Sequence, residues 1–502
     1  MTAERAAPPS RIFLIVTLLV VLVFTVLRLM TAANLDLRSD EAYYWTWSHQ
    51  APLSFLDQPP MVAWFERFGQ LFFGDTALGA RFAQILALPL IELILADIAR
   101  RRTRRWNAAL FVVLAMECAL NYGFFAIVIE PSAALLLFTS LILWALCRLD
   151  ESGDARWWLL VGAAGGLALL SKYIVLLIAP ALLLYLLLRP GQRRWLRTPW
   201  PYAAIGLALL LFSPVLAWNA QHGWASFAFQ SVRLGSGEPP SLGGAMRFVM
   251  YESLFAGPVL LVAAVVAASA TAVGYVRGRK PAYELMLAAA FLVPILFLFW
   301  RSFTLLINQS WAWFVWPIGL LTLAIALPWD RARLRIAGLL VLIGAPGLLV
   351  NGALFYHVLW DTSVWGGAGD PIGQDAGFGE MAQAVLSEAK ATGAGWIATS
   401  DYRTYANLQW HIGKDIPVLQ VNERARFLDF APRDPARFTG RALYVHQGAA
   451  TPVLAEATLT GLPNLPVSWR GVTMQTMQVD LLDGFTPELS PPPGSAAYVW
   501  KY

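Results

Sequence analysis

Eleven apolar runs, most of them near the roughly 20 residues that a helix needs to cross a bilayer core, divide the first 356 residues of this chain. They lie near 12–30, 78–99, 106–122, 131–148, 157–172, 173–188, 201–218, 254–275, 284–300, 312–327 and 336–356. No single soluble core buries that many apolar segments. Composition agrees, with 58% of residues hydrophobic and only 14% charged. The expected fold is an α-helical polytopic membrane protein. One boundary rests on a single residue: the stretch from Trp157 to Leu188 is broken only by the polar Ser171-Lys172-Tyr173. It is too long for one upright span and reads as two spans turning at Lys172.

Charge sets the orientation. Basic residues collect in alternate connections: Arg5 and Arg11, then Arg100, Arg101, Arg102, Arg104 and Arg105, then Arg148 and Arg156, the arginines of 189–197, Arg277, Arg279 and Lys280, and finally Arg331, Arg333 and Arg335. The opposite connections hold only Arg38, Arg67, Lys172, Arg233, Arg247 and Arg301. By the positive-inside rule the N-terminus is cytoplasmic and the C-terminal region, with an odd span count, lies outside. Reading 157–188 as one span would invert every later loop. The net charge of +5 is thus a topology signal, and nucleic acid is not an expected partner. Cys118 and Cys147 both fall inside apolar runs, which argues against a structural disulfide. The first run reads as a retained span, because no small-residue cleavage site follows it in frame.

Three outer segments exceed simple connectors. The first, 31–77, is rich in carboxylates and contains an amphipathic stretch from Pro60 to Phe73 suited to the membrane surface. The second, 219–253, carries Trp218, Trp224, Phe227 and Phe229 as interfacial anchors, with a mobile Gly/Ser/Pro tract at 235–244. The third is the tail, 357–502, where composition turns soluble. Helices are expected over 376–393 and 401–412, and strands over 396–399, 417–421, 442–446 and 472–482, a small α/β domain. The domain plan is therefore a transmembrane domain, 1–356, with its large first outer loop, and an outer domain, 357–502. Low complexity is confined to Ser490–Pro493.

Chemistry concentrates on the outer side. Asp36-Leu-Arg-Ser-Asp-Glu-Ala-Tyr-Tyr-Trp-Thr-Trp-Ser-His49 places Asp40 and Glu41 directly before four aromatics, and Leu56-Asp-Gln-Pro-Pro60 follows. A carboxylate there can take a proton from a hydroxyl, and aromatic faces stack on sugar rings. The plainer reading is a solvated acidic loop with interfacial Tyr and Trp. Glu130 sits amid apolar residues directly before Pro131, at the outer start of a span. An ionisable group at that depth is a functional candidate, or else a helix cap. Lys172 and Arg301 are cations at outer span ends. Singly each snorkels to headgroups; together they suit a lipid-linked phosphate. Asn308 and Trp311 stand at the same level. No His or Cys pairing supports zinc, and no phosphate-binding glycine loop points to a soluble nucleotide.

At these residues the chain resembles the polyprenyl-phosphate-dependent glycosyltransferases of the GT-C fold. Within them it is most similar to the bacterial branch of lipid A aminoarabinose transferases and protein O-mannosyltransferase-like enzymes. The motifs are Asp40-Glu41-Ala-Tyr43-Tyr44, Asp57-Gln58-Pro-Pro60, Glu130-Pro131 and Leu170-Ser-Lys172-Tyr173, in that order, over roughly the first 175 residues. The loop ending Asn308-Gln-Ser-Trp311 extends the likeness. The resemblance implies eleven to thirteen spans and a catalytic carboxylate at Asp40, with Glu130 at a position where the family carries Asp before Pro. Gln58 falls where relatives carry a His or Lys on the carrier phosphate.

The implied reaction moves a sugar from a polyprenyl-phosphate donor to a lipid, glycan or protein acceptor of the envelope, with inversion. Asp40 and Glu130 are the expected catalytic pair. Glu41, Tyr43, Tyr44, His49, Asp57, Gln58, Lys172, Tyr173, Arg301, Asn308 and Trp311 are expected to bind substrates. No metal ligand set or cofactor is expected, although a divalent metal remains compatible. Membrane lipids are the other partners. The competing class is a transporter or flippase of lipid-linked sugars, for which repeated halves and helices broken at mid-membrane would speak. A glycan polymerase or ligase differs only in acceptor.

Overall fold

A computed structural model describes residues 11–489 apart from positions 189, 236, 238, 280, 361, 363, 364, 366–368, 374, 375, 428, 429, 431 and 432. The chain forms two compact units. One comprises 1–32, 58–65 and 81–359; the other comprises 33–57, 66–80 and 360–502.

The first unit is helical. Its helices, in chain order with those that begin or end in the second unit, are α1 (Arg11–Asn34), α2 (Ser39–Ser48), α3 (Met61–Phe73), α4 (Ala77–Thr103), α5 (Trp106–Cys118), α6 (Pro131–Ser152) and α7 (Trp157–Ser171). Then follow α8 (Ala179–Leu187), α9 (Pro190–Arg193), α10 (Trp200–Gln221), α11 (Ala225–Gly235), α12 (Leu242–Phe255), α13 (Pro258–Val276), α14 (Ala282–Arg301), α15 (Trp316–Ala326) and α16 (Arg333–Leu359). Each of the eleven apolar runs coincides with one of these. Among the described residues, seven helices (α1, α4, α6, α10, α13, α14 and α16) are long and apolar enough to cross a membrane unaided. The helices α5, α7 and α15 are shorter. The run after Lys172 opens as a 3-10 segment, Tyr173–Ile178, before α8. The turn arises because Lys172 adopts extended backbone, which ends α7.

Two sequence devices pack this bundle. Along α7, Gly162 and Gly166 lie one turn apart and let α10 approach: a Cβ on Gly162 would stand 2.4 Å from the carbonyl oxygen of Ala204, and one on Gly166 would stand 2.8 Å from that of Ala208. Small residues four apart are the usual means of close helix contact in lipid, where apolar burial gives little drive. The other device is ionic. Arg28, inside the first apolar run, is fully buried and pairs with the fully buried Glu117 of α5, while Glu92 of α4 lies 3.9 Å away. Its Nε also donates to the carbonyl of Gly123 at 3.0 Å. Replacing Arg28 with Leu strands two buried carboxylates. Breaking a buried pair from one side costs about 3–5 kcal/mol, so R28L is expected to lose most of its folded yield and much of its thermal stability in detergent. An unchanged melting profile would refute this role.

The 219–253 segment is largely helical, formed by α11 and α12. Of its expected interfacial anchors, Trp224 and Phe227 retain exposure, whereas Trp218 and Phe229 are buried; Trp218 stacks on His222 at 4.2 Å between centroids. The tract 235–244 includes two positions, 236 and 238, outside the described residues, as does Ser490–Pro493.

The second unit contains α2, most of α3, α17 (Phe378–Thr392), α18 (Tyr402–Ile412) and one six-stranded sheet. The strands are β1 (Trp396–Thr399), β2 (Val418–Gln420), β3 (Ala442–His446), β4 (Thr458–Gly461), β5 (Leu465–Trp469) and β6 (Val472–Asp483). They run in the order β2-β1-β3-β6-β4, with β5 also pairing β6. The first three are parallel and fully buried, and each is apolar up to a polar last residue (Thr399, Gln420 and His446); β6 is antiparallel to β3 and half exposed. The sequence reading lacks β4 and β5. Pro466 inside β5 removes a ladder donor and argues against a strand, and it is tolerated because β5 pairs with β6 alone. The α3 helix leaves Trp64, Phe68, Leu71 and Phe72 exposed along one face, as a helix at a membrane surface does.

Candidate active site

Two polar clusters, one in each unit, hold most of the residues singled out from sequence. In the second unit, Asp40 occupies the first turn of α2, where the helix dipole favours a carboxylate. Its neighbour Glu41 is turned inward and buried. It accepts from the Arg38 backbone N–H at 2.9 Å, closing a capping box. Glu41 thus fixes the helix start, and Asp40 is left half-exposed, its side chain 46% accessible.

Asp40 is gripped from the tail. The Tyr402 hydroxyl donates to its Oδ1 at 3.0 Å, and Arg403 Nε lies 3.2 Å from that hydroxyl and 3.7 Å from Asp40. Tyr402 opens α18, whose N-cap Asp401 accepts from the backbone of Arg403 and Thr404, so the cap aims the ring. Burial and then the Asp40 carboxylate hold the Tyr402 hydroxyl above the usual tyrosine range, which keeps it a proton donor. Behind it, Tyr43 donates to Asp57 at 2.9 Å, Arg426 pairs with Asp57, and the Arg426 guanidinium lies 4.5 Å above the Tyr402 ring. The Tyr43 and Tyr402 rings stand 4.7 Å apart. Asp57 is thereby the anchor of this network rather than a free carboxylate. Tyr44 packs against Trp47. His49 sits at the far end of α2, bound to Asp75 at 3.1 Å.

In the first unit, Glu130 is the N-cap residue of α6 with Pro131 at the first helical position, yet its side chain makes no cap hydrogen bond. Its backbone N–H donates to Gln84 at 2.9 Å, which fixes the approach to the helix. The buried Lys172 Nζ lies 3.1 Å from Ser132 Oγ and 3.4 Å from Ser310 Oγ. Ser132 in turn lies 3.5 Å from Glu130 and donates to the Ser310 carbonyl at 3.0 Å. Asn308 shapes this turn by accepting from the Ser310 N–H at 2.9 Å. Glu130 and Arg233 are the charged neighbours of Lys172, and Arg233 lies 5.0 Å above the Trp311 ring. No carboxylate stands within ion-pair distance of Lys172 among the described residues.

Arg301 is not in this cluster. Its guanidinium donates to the Leu234 carbonyl and lies over Trp300. Tyr173 meets Ser226 and Phe227 on α11, and Gln58 is buried. Sequence reasoning missed Ser132, Ser310, Arg233, Tyr402, Arg403 and Arg426. Ser132 was within reach, lying one helical position beyond the flagged Glu130-Pro131; the tail residues carry no local signal. Among the described residues no three His, Cys, Asp or Glu side chains gather as a metal site.

Residues 57–218, which carry Asp57, Gln58, Glu130 and Lys172, match the family described as dolichyl-phosphate-mannose-protein mannosyltransferase. Over 92% of its length the chain superposes on 97% of ArnT from Cupriavidus metallidurans, solved with undecaprenyl phosphate, with a TM-score of 0.64 at 17% identity. The chain has the GT-C fold. The protein is accordingly a multi-pass membrane protein. Among curated proteins this GT-C chain is similar to the lipid A galacturonosyltransferase RgtD of Rhizobium johnstonii. The two are 32% identical over 215 residues, covering 41% of this chain and 43% of that protein. It is also similar to the undecaprenyl phosphate-alpha-4-amino-4-deoxy-L-arabinose arabinosyl transferase of Pseudomonas aeruginosa, at 30% identity over 39% of this chain and 37% of that one. These matches span less than half the length of either relative.

Proposed function

We propose that this protein transfers a sugar from a polyprenyl-phosphate carrier to an envelope acceptor, of which lipid A is the first candidate, on the periplasmic face of the bacterial inner membrane. In this reading the N-terminus is cytoplasmic, and both the 31–77 loop and the 357–502 domain are periplasmic. The observation that carries the proposal is the buried Lys172, held by serine hydroxyls rather than a carboxylate. Lys172 and Arg233 set against Glu130 leave a net positive charge beside the serines, which suits an anion that arrives with substrate. The GT-C fold and the names of the relatives support a polyprenyl phosphate as the fitting anion, and they favour a transferase over a transporter or flippase.

The chemistry follows from the charges. The acceptor oxygen bonds to the anomeric carbon as the bond from that carbon to the phosphate oxygen breaks, and the electron pair leaves on the phosphate. Lys172, held in place by Ser132 and Ser310, and Arg233 stabilise that charge. The departing phosphate needs no general acid. Asp40 orients a hydroxyl acceptor and takes its proton, or only orients an acceptor that is itself an ionised phosphate. Glu130 directs Ser132 and balances Lys172. Attack opposite the leaving group inverts the anomeric centre.

The test is reconstituted protein with a synthetic polyprenyl-phosphate sugar and lipid A. Labelled sugar is expected on the acceptor with inverted configuration. Intact donor after incubation with lipid A, core oligosaccharide and envelope protein in turn would refute the reading.

A further inference from the structure

The second unit contains a cavity of about 460 Å³ that none of the chemistry above uses. It lies at the far end of α2 from Asp40. Nine helical steps separate Asp40 from His49, about 13 Å at 1.5 Å per residue. Trp45 and Tyr405 form buried aromatic walls. Asp75 is held in place by His49 at 3.1 Å and by the Trp45 indole N–H at 3.4 Å. Opposite, Arg433 is braced by the Val418 carbonyl and the Tyr405 hydroxyl. Gln409, Lys414, Asp434 and Arg437 also line it. Lys414 is 85% exposed and 4.0 Å from Asp75, and Arg437 is exposed with no ion pair among the described residues.

We infer that this cavity binds an anionic saccharide headgroup, as a subsite for the acceptor; that last assignment rests on the transferase reading. Volume and lining choose the ligand class. The volume falls within the range of small-molecule pockets. Amide, carboxylate and guanidinium groups present donors and acceptors in fixed planes, which suits the hydroxyls of a sugar ring. Trp45 and Tyr405 add apolar surface for its faces. Three Lys and Arg side chains against two Asp give the lining a positive excess, so a sugar bearing carboxylate or phosphate is preferred over a neutral one. Asp75 of the lining follows α3 by two residues, and α3 exposes Phe68, Leu71 and Phe72, a face suited to lipid. The distance from Asp40 lets the recognised sugar and the reacting group be different parts of one acceptor.

The experiment uses the full chain in nanodiscs, with binding followed by saturation-transfer NMR and calorimetry. Digalacturonate serves as the acidic probe and maltose as the neutral one. Digalacturonate is expected to bind more tightly than maltose. R437A, at an exposed residue, and Q409A, at a half-buried one, should each weaken it at least fivefold with unchanged thermal melting, while D40N binds it normally. In transfer assays the same two variants raise the acceptor KM about tenfold and leave kcat unchanged. An acidic glycolipid in the nanodisc that competes with digalacturonate assigns the site to a membrane-borne headgroup, and no competition assigns it to a water-soluble glycan. Equal binding by wild type and both variants, equal binding of maltose, or loss of binding in D40N would each overturn the subsite. Normal digalacturonate binding without sugar transfer overturns the transferase reading and leaves the cavity assignment standing.

Discussion

Substituting Asn for Asp40 is expected to lower transfer by roughly 10²–10⁴-fold, the range for loss of a positioned acid–base group. Asn is the informative replacement because its amide oxygen still accepts from Tyr402, so the α2 to α18 contact survives and only the charge goes. Folding, read by thermal melting, should be unchanged. Tyr402→Phe removes the donor and leaves the carboxylate. A hydrogen bond to a charged group contributes about 1.5–3 kcal/mol, so kcat should fall roughly 10- to 100-fold while the donor KM stays constant. The two effects are not independent. With Asn already at 40, Tyr402→Phe should add little, because the hydroxyl acts on transfer through that carboxylate. Additive losses would mean that Tyr402 acts independently of the Asp40 carboxylate; full activity in D40N would remove Asp40 from the mechanism altogether.

This dependence on Tyr402 marks where sequence reading stops. The apolar runs were legible because each span must satisfy its own backbone and carry its own hydrophobicity, so the signal is local. The three parallel strands of the tail were legible for a similar reason, since burial on both faces makes each apolar up to its last residue. The carboxylate Asp40 was legible from its place after the first span. Its partner lies 362 residues away in sequence, where Tyr402 reads as an ordinary first-turn residue behind an Asp cap. Glu41 shows the converse. Beside Asp40 it looks equally reactive, yet helix geometry turns one carboxylate out and the other back onto the Arg38 N–H. A contact made by the fold leaves no trace in either segment alone.

The same contrast separates the two cations that sequence could not rank. Lys172→Met keeps the aliphatic stem and removes the charge, and it should lower transfer roughly 10²–10³-fold, the scale for deleting one preorganised charge-stabilising contact. Arg301→Met should cost far less, because that guanidinium is already committed to the Leu234 carbonyl and the Trp300 face. Lys172→Arg is the sharper probe. Its planar fork carries five donors, and the two serine hydroxyls around Lys172 are placed for a compact ammonium. It should therefore restore only part of the rate, chiefly as a raised donor KM. Initial rates at saturating acceptor over a range of donor concentrations separate these cases. Equal losses in Lys172→Met and Arg301→Met would show that the phosphate is held by headgroup-level charge in general. A loss confined to Lys172 means that one buried ammonium, set between Ser132 and Ser310, receives the leaving group.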